Sequence, residues 1–295
     1  METRLICDGP ADGVWNMAVD EALLETVGLA AATPASVLRF YQWSPATLSL
    51  GYFQGLTERQ FHAASRDCPL VRRASGGGAI LHDRELTYSF ATAVAGGLGG
   101  HEALYDAFHD TLVETLADWG VRATRVPAAR LQPDSGPAIR LVAISPQSPS
   151  APTESPAMRL TADGTTYEGP SGRPRELPDG NETAFLCFER RSPGDVLVAG
   201  MKVGGSAQRR NRGALLQHGS VLLRRSPFAP ELPGIAELTG VIIEPNDLRE
   251  RWCERLATRL ALRWRIDRLT DAERENADSL GCGKFGGEAW TNRRP

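Results

Sequence analysis

The sequence predicts an α+β fold in which a mixed β-sheet is flanked by helices on its faces. Two segments carry apolar residues at helical spacing, from Val14 to about Ala32 and from His101 to Trp119, and a helical pattern returns from Pro245. Between these segments lie short apolar or alternating runs of strand length, separated by glycine, proline and serine. Helices interspersed with such strands are typical of an α+β domain.

Composition restricts the class of protein. The chain has 295 residues, of which 41% are hydrophobic, with a net charge of -3 and a pI near 6.0. A nucleic-acid partner is not expected, because phosphate backbones are bound by strongly basic faces. The N-terminus lacks the pattern of a signal peptide, and no apolar run approaches a membrane span, so we expect a cytoplasmic protein without a membrane partner. Five scattered cysteines without CxxC spacing indicate neither a disulfide framework nor a metal site.

The first half of the chain is predicted to hold one helix and several strands. After the helix from Val14, strands are expected over Ser36–Tyr41 and Thr47–Tyr52, around Trp43-Ser44-Pro45. Leu70–Arg73 then enters a glycine triplet, and Leu86–Thr92 resumes as a strand. The triplet therefore lies between strands, whereas dinucleotide and P-loop fingerprints require a helix directly after the glycines.

The second half is interrupted by a proline-rich segment. The helix ending at Gly120 is followed by a predicted strand, Val121–Val126, and then by ten of the chain's 20 prolines between residues 127 and 180. We interpret this segment as an irregular insertion, in which Ile139–Ile144 could form a strand.

Order is expected to return at Ala184–Glu189. Asp195–Ala199 precedes the stretch Gly200–Gln208, which is predicted to form a hairpin with Ala214–Leu223. A capping box, Thr270-x-x-Glu273, opens a last helix. We predict one domain over residues 1–244, with the insertion at about 127–180, and a helical C-terminal segment over 245–295 packed on it.

Lysine is almost absent from this chain. Of 33 basic residues only Lys202 and Lys284 are lysines, which leaves 31 arginines. Arginine replaces lysine wherever a solvated charge suffices, but it cannot release a proton near neutral pH, whereas a desolvated amine can. Lys202, within a run of glycines, is therefore a candidate for chemistry, and chance survival in a turn is the alternative.

Three further segments carry candidate residues. Arg72-Arg73 before Gly76-Gly77-Gly78 places two cations beside a backbone that a ligand can approach closely, unless the glycines only form a bulge. His82 and Asp83 are adjacent on a strand and point to opposite faces, so a structural role for His82 is favoured over a dyad. The local sequence predicts that Cys187 is a buried structural cysteine. A reactive role is predicted instead if Lys202 lies close enough to take its proton.

Several motifs together resemble the lipoate-protein ligase and octanoyltransferase family, which shares its catalytic fold with biotin protein ligases. They are Asn16–Leu24, Pro45–Gln54, Arg72–Asp83, Gly200–Gln208 and Leu216–Ser220, in the order of the family. Cys187-Phe188-Glu189 resembles the motif of the cysteine-dependent, LipM-type octanoyltransferases, and Lys284-Phe285 resembles a short C-terminal motif of the family. The proline-rich insertion lies outside the resemblance.

The resemblance implies an acyltransferase of lipoate assembly. Cys187 would accept an octanoyl group from octanoyl-acyl carrier protein as a thioester. A lysine of a lipoyl-carrier domain, from the glycine cleavage H protein or a 2-oxoacid dehydrogenase, would then take it. Lys202 would act as general base and as a cation near the thiolate, among apolar and glycine neighbours, and nearby amides would hold the oxyanion. No cofactor or metal is implied.

The resemblance also implies a substrate-binding set around this pair. Arg72, Arg73 and the glycine triplet would form one wall of an acyl tunnel, supported by His82 and His218. The set implied as substrate-binding is Arg72, Arg73, Gly76, Gly77, Gly78, His82, Gly204, Gly205, Ser206, Ala207, His218 and Gly219.

Other functions remain open from the sequence. An ATP-dependent lipoate ligase would use Lys202 on a phosphate and leave Cys187 incidental. A lipoyl amidotransferase or a non-catalytic acyl-binding module would also fit the motifs. On the C-terminal helix, Arg251, Arg255 and Arg259 could dock an acidic carrier domain, or could be a solvated face paired with Glu250 and Glu254.

Overall fold

A computed structural model of the chain describes residues 1–29, 36–94, 100–127, 166–168, 174–176 and 184–294. Residues 1–127 and 184–295 form one compact unit, and residues 128–183 form a second. In the second unit two short strands, β8 (Thr166–Glu168) and β9 (Pro174–Glu176), pair antiparallel. The predicted strand Ile139–Ile144 and most of the predicted insertion lie outside the described residues.

The first unit is built on an eight-stranded mixed sheet. Its strands, in chain order, are β1 (Glu2–Ala11), β2 (Ser36–Trp43), β6 (Glu85–Ala93), β7 (Ala123–Arg125), β10 (Val196–Val198), β11 (Met201–Asn211), β12 (Ala214–Leu222) and β13 (Arg263–Asp267). Their order across the sheet is β13-β1-β2-β6-β12-β11-β10-β7. The strands β13, β1 and β2 run parallel, and the remaining pairs are antiparallel. A smaller sheet, of order β4-β3-β5, consists of β3 (Thr47–Leu50), β4 (Leu70–Arg72) and β5 (Ile80–His82).

Helices cover both faces of the large sheet. They are α1 (Gly13–Leu29), α2 (Gly100–Ala117), α3 (Ile235–Thr239), α4 (Pro245–Arg259), α5 (Asp271–Leu280) and α6 (Glu288–Thr291). Alternate residues of β2 point to opposite faces, so Tyr41 packs with Leu23 of α1 while Phe40 packs with Phe108 of α2 and Trp252 of α4. The mixed sheet flanked by helices confirms the predicted fold class.

Most of the predicted elements are present. Helices α1 and α2, strand β7 and the β11–β12 hairpin lie where the periodicity placed them. The capping box also forms, since the Thr270 hydroxyl accepts from the Glu273 N–H at 3.2 Å and the Glu273 carboxylate accepts from the Thr270 N–H at 2.8 Å. The glycine triplet lies between β4 and β5, as expected, and no helix follows it directly.

One local prediction was wrong. The C-terminal segment is not wholly helical, because β13 adds a strand parallel to β1. Order returns near Ala184 as expected, and Cys187–Glu189 forms a single 3₁₀ turn. Lys202 lies within β11, one strand of the predicted hairpin.

The arginine stripe of α4 is paired with acids of α2. Arg255 lies 2.5 Å from Asp118, Arg259 lies 2.5 Å from Glu114, and Arg251 lies 3.9 Å from Asp118. Within the described part of the chain, the expected partners Glu250 and Glu254 form no ion pair with these three arginines.

No described helix is long and apolar enough to cross a bilayer.

Candidate active site

A cavity of about 300 Å³ lies where the β11–β12 hairpin meets the glycine loop and the turn at Cys187. Of the residues predicted from the sequence, those that line it are Arg73, Gly76, Gly77, His82, Cys187, Lys202, Gly205, Ser206, Ala207, His218 and Gly219. The other lining residues are Met17, Tyr41, Trp43, Ile80, Thr87, Tyr105, Phe188, Ser192, Asp195, Gln208 and Ser220. Its volume falls in the range of small-molecule sites.

Cys187 and Lys202 face each other in this cavity. The Lys202 Nζ lies 3.8 Å from the Cys187 Sγ and 3.4 Å from the Cys187 carbonyl oxygen. The 3₁₀ turn is tied to the glycine loop, because the Cys187 N–H donates to the Ala79 carbonyl at 2.7 Å. Strand β11 fixes the position of the lysine, so a thiol and an amine that are fifteen residues apart in sequence come into contact range.

Asp195 lies beside Lys202 but was not among the candidate residues predicted from the sequence. Its carboxylate lies 2.8 Å from the Lys202 Nζ, and the two side chains are only 2% and 5% exposed. The Ser192 N–H also donates to this carboxylate, at 2.7 Å. Burial raises the pKa of Asp195, and the ammonium of Lys202 opposes that rise. The sequence led us to expect only apolar and glycine neighbours around Lys202. The structure corrects this, because a buried acid holds the amine.

Gly205 leaves room for this ion pair. A Cβ at this position would lie 2.6 Å from the Lys202 Cε, 3.0 Å from its Nζ and 3.1 Å from the Asp195 Oδ1. Gly204, predicted as a substrate residue, instead faces Leu112 and Val196 in the core. Alternation along β11 therefore gives the two glycines different neighbours.

Arg73 organises the glycine loop. Its buried guanidinium donates to the carbonyls of Gly76 at 3.3 Å and Gly78 at 2.8 Å, and to the carbonyl and hydroxyl of Ser49 at 2.8 and 2.6 Å. Burial lowers the pKa of Arg73 to about 10, so the group stays charged at neutral pH. Within the described residues it has no carboxylate partner.

The glycine loop lies against the sulfur. Gly77 has a φ of +97°, which favours glycine, and a Cβ there would lie 3.9 Å from the Cys187 Sγ. A Cβ on Gly78 would lie 3.1 Å from the Cys187 Cα, so the loop and the turn pack backbone to backbone. Gly78 supports Cys187 without lining the cavity.

Arg72 is placed away from the cavity. Its guanidinium donates to the carbonyls of Gly51 at 2.9 Å and Gln54 at 2.7 Å, and to that of Thr291 at 2.9 Å. The prediction that Arg72 forms a cavity wall beside Arg73 is not supported, because adjacent residues at the end of β4 point in opposite directions.

His82 is held in a chain of polar side chains. Its Nδ1 lies 2.5 Å from the Glu85 carboxylate and its Nε2 lies 2.7 Å from the Ser49 hydroxyl, which also contacts Arg73. Trp43 stacks on the imidazole at 3.8 Å. Burial lowers the pKa of His82 although Glu85 opposes this. The chain links His82 to the glycine loop, which agrees with a supporting role and not with a dyad with Asp83.

His218 and Ser206 belong to two other buried networks on the cavity wall. His218 lies 2.5 Å from the Ser75 hydroxyl and 3.8 Å from Asp20, whose carboxylate accepts from Arg39, Tyr41 and Ser89. Ser206 lies 2.6 Å from both the His109 Nε2 and the Tyr88 hydroxyl. Gly219 allows this approach, since a Cβ there would lie 2.5 Å from the Ser206 Oγ.

The second lysine serves the C-terminal segment. Lys284 lies 3.1 Å from Glu21 of α1, and its ammonium sits over the rings of Phe285 and Trp290 at 4.8 and 4.5 Å. Burial lowers the pKa of Lys284, and Glu21 opposes this. The Lys284-Phe285 pair therefore anchors the one-turn π-helix Gly281–Phe285 to α1.

Comparisons with known proteins show which family this chain belongs to. Residues 12–138 match the lipoyl protein ligase A/B catalytic domain, and residues 157–226 match the biotin/lipoate A/B protein ligase family. The octanoyltransferase LipM of Kyrpidia tusciae is 31% identical over 99% of this chain and 98% of its own length. The octanoyltransferase LipM of Symbiobacterium thermophilum is 30% identical over 100% of both chains.

Solved structures support the fold. A putative lipoate protein ligase from T. acidophilum superposes with a TM-score of 0.67 at 20% identity, covering 99% of this chain and 100% of that one. A lipoate-protein ligase A bound with ATP gives a TM-score of 0.66 at 20% identity, covering 99% of each chain.

Proposed function

The chain belongs to the lipoate protein ligase family, in its LipM-type octanoyltransferase branch, and we propose that it carries an octanoyl group on Cys187 between two carrier proteins. It is an acyltransferase, and octanoyl transfer in lipoate assembly is its reaction class. The proposed donor is octanoyl-acyl carrier protein, and the proposed acceptor is a lysine of a lipoyl-carrier domain. The observation that carries the thioester mechanism is the approach of Lys202 Nζ to Cys187 Sγ at 3.8 Å, with Asp195 on the same ammonium.

In the proposed mechanism Lys202 is a cation in the resting enzyme and Cys187 reacts as the thiolate. The geometry that supports this is the buried carboxylate of Asp195 at 2.8 Å from the Lys202 Nζ, because an ammonium is the kind of neighbour that activates a cysteine. In the first step the thiolate attacks the donor thioester, a new thioester forms on Cys187, and the carrier thiolate leaves. The leaving thiolate takes a proton from Lys202, which is then neutral.

The second step restores the starting state. The neutral acceptor amine attacks the Cys187 thioester, the C–N bond forms, and the C–S bond breaks. The excess proton of the attacking nitrogen passes to Lys202, and the thiolate of Cys187 returns beside the ammonium. Exchange of a thioester for an amide is downhill, so these steps require no ATP. Lys202 therefore acts first as an acid and then as a base.

The glycine loop is the proposed source of oxyanion donors. Amides near Lys202 were expected in this role, but Met201, Lys202 and Gly204 are paired with β10 in the sheet. Gly77 lies beside the sulfur, since a Cβ there would be 3.9 Å from the Cys187 Sγ, and its N–H donates no hydrogen bond to another described residue. Arg73 fixes this loop through its carbonyls, so the amides are held before the substrate arrives.

The octanoyl chain is proposed to occupy the apolar part of the cavity. Side chains of Met17, Trp43, Ile80 and Phe188 line it, and the volume of about 300 Å³ suits a short acyl chain. Enclosure by apolar groups favours burial of the hydrocarbon and limits hydrolysis of the thioester.

The experiment is to trap the acyl-enzyme. Purified protein is mixed with octanoyl-acyl carrier protein without ATP, and intact mass and peptide mapping are used to find one octanoyl group on Cys187. A lipoyl domain is then added, and transfer to its lysine is measured. Cys187→Ser should abolish both steps, while the matched control Cys282→Ser, at an exposed free cysteine, should keep both. An unmodified Cys187 with strict ATP dependence would favour a ligase, and transfer only from an acylated lipoyl domain would favour an amidotransferase.

A further inference from the structure

Three arginines gather beside the loop that precedes the active-site glycines. We call Arg72, Arg293 and Arg294 the arginine cluster. Arg72 is fully buried and is satisfied only by backbone carbonyls, with no carboxylate partner among the described residues. Burial lowers the pKa of Arg72, and the charges of Arg293 and Arg294 lower it further, while Glu58 opposes this. The cluster therefore carries three positive charges near one acid, Glu58, and none of its members forms an ion pair among the described residues.

The outer two arginines are exposed and held in place by aromatic rings. The guanidinium of Arg293 lies 4.2 Å from the ring centre of Tyr52 and 4.6 Å from that of Trp290. That of Arg294 lies 5.9 Å from the ring centre of Phe53. Neither forms an ion pair within the described part of the chain, and the Arg294 carbonyl accepts from the Leu56 N–H at 2.8 Å. The cluster thus presents two preorganised cations to solvent.

The cluster adjoins the cavity through Tyr52 and Phe53. The Tyr52 N–H donates to the Ser75 carbonyl at 2.8 Å, and the Phe53 ring lies 3.8 Å from the position of a Cβ on Gly76. Gly76 lines the cavity that holds Cys187. Phe53 is itself 70% exposed, so a large apolar side chain lies open to solvent beside the cavity.

We propose that Arg293, Arg294 and Phe53 form the docking surface for the carrier protein that donates the acyl group, an acidic protein whose thioester arm contains a phosphodiester. This inference rests on the proposed function. Guanidinium groups recognise phosphate and carboxylate groups well, and Phe53 offers an apolar contact for the arm. The acceptor fits this surface less well, because its lysine side chain carries no phosphate for the guanidinium groups to bind. A local positive field on a chain of net charge -3 also steers an acidic partner towards this surface.

The test compares two donors in the first half-reaction, octanoylation of Cys187. The variant Arg293→Gln/Arg294→Gln is measured with octanoyl-acyl carrier protein and with octanoyl-N-acetylcysteamine, a neutral thioester without phosphate. With the carrier we expect about a tenfold loss in kcat/KM, mostly in KM, and a weaker dependence on salt. With the neutral donor we expect a loss of less than twofold. Arg294→Gln alone keeps the contacts of Arg293 with its rings and should give an intermediate loss in kcat/KM. A loss that grows with the number of charges removed distinguishes an electrostatic effect from misfolding.

The matched control is Arg255→Gln/Arg259→Gln, a second exposed pair whose charges are already balanced by acids of α2. It should keep the wild-type kcat/KM for both donors. Equal losses with both donors in the cluster variant, or a larger loss in the control, would overturn the proposal. A selective loss in the second half-reaction would assign the surface to the acceptor and overturn it as well. Absence of octanoylation from any donor in wild type would instead contradict the proposed function.

Discussion

The carboxylate of Asp195 lies 2.8 Å from the ammonium of Lys202, and neither side chain is more than 5% exposed. The same ammonium lies 3.8 Å from the Cys187 sulfur, so a buried acid, a buried amine and a half-buried thiol form one group. Such a pair is costly to break, because removal of one charge leaves the other desolvated and uncompensated. The position and charge of Lys202 therefore depend on Asp195.

Asp195→Asn should impair both stability and acylation. The amide keeps the shape of the carboxylate but cannot balance the ammonium, so we expect a loss of about 3–5 kcal/mol in the free energy of unfolding. Octanoylation of Cys187 in a single turnover should slow by roughly 100-fold, because the cation beside the thiolate is no longer fixed. Urea unfolding and quenched-flow mass spectrometry measure the two effects.

The matched control for this change is Asp106→Asn. Asp106 is the 54% exposed partner of Arg125, and its loss should cost less than about 1 kcal/mol. If Asp195→Asn were as mild as the control, the ion pair would have no part in holding Lys202.

Gly205→Ala should displace the lysine without removing any charge. The new methyl group would lie 2.6 Å from the Lys202 Cε, which is closer than side chains tolerate. We expect acylation to fall by at least about tenfold and stability by roughly 1–3 kcal/mol, the usual cost of overpacking. Gly9→Ala is the control, because a Cβ at Gly9 meets nothing within 4 Å. Wild-type acylation in Gly205→Ala would show that the observed position of Lys202 is not needed.

Local patterns in the sequence predicted much of this fold but only part of the site. The helices, the β11–β12 hairpin and the glycine loop between strands follow from periodicity and turn residues, which act over a few positions. The pairing of β13 with β1 joins residues about 260 positions apart, and no local pattern specifies it. Asp195 directly precedes β10, and its contact with Lys202 depends on how β10 pairs with β11, which the sequence does not reveal.

Some of the missed features were accessible to reasoning. Arg72 and Arg73 are consecutive at a strand end, so alternation already implies that only one can face the cavity. The partner of the His82 imidazole is Glu85, three residues later across a tight turn, and not the adjacent Asp83. This partner was predictable, because a tight turn brings the first and fourth residues together. The prediction of a catalytic role for Cys187 depended on the family resemblance, because nothing in its local sequence distinguishes it from a structural cysteine.

Arg73→Lys should loosen the glycine loop while keeping the positive charge. A lysine ammonium cannot reproduce the fork by which Arg73 binds the carbonyls of Gly76, Gly78 and Ser49 at once. We expect a loss of about 10- to 100-fold in kcat, with a smaller change in KM, because the proposed oxyanion amides lose their orientation. Arg84→Lys, whose side chain is 55% exposed, is the control and should keep the wild-type kcat. A kcat in Arg73→Lys equal to that of wild type would show that the charge alone suffices.

Acid should destabilise the protein through His109. This imidazole lies 2.7 Å from the Gly194 carbonyl and 2.6 Å from the Ser206 hydroxyl, and burial lowers its pKa to about 4. The unfolded chain, in which the histidine pKa is about 6.5, binds this proton first, so stability present above pH 6.5 is lost as the pH falls towards 4. The free energy of unfolding should fall by about 2 kcal/mol more between pH 7 and pH 5 in wild type than in His109→Asn. Asparagine keeps a donor near the Gly194 carbonyl without this titration, whereas His101→Asn, on the exposed start of α2, should follow the wild-type profile. Parallel urea-unfolding profiles of wild type and His109→Asn would show that the imidazole is not held neutral beneath the cavity.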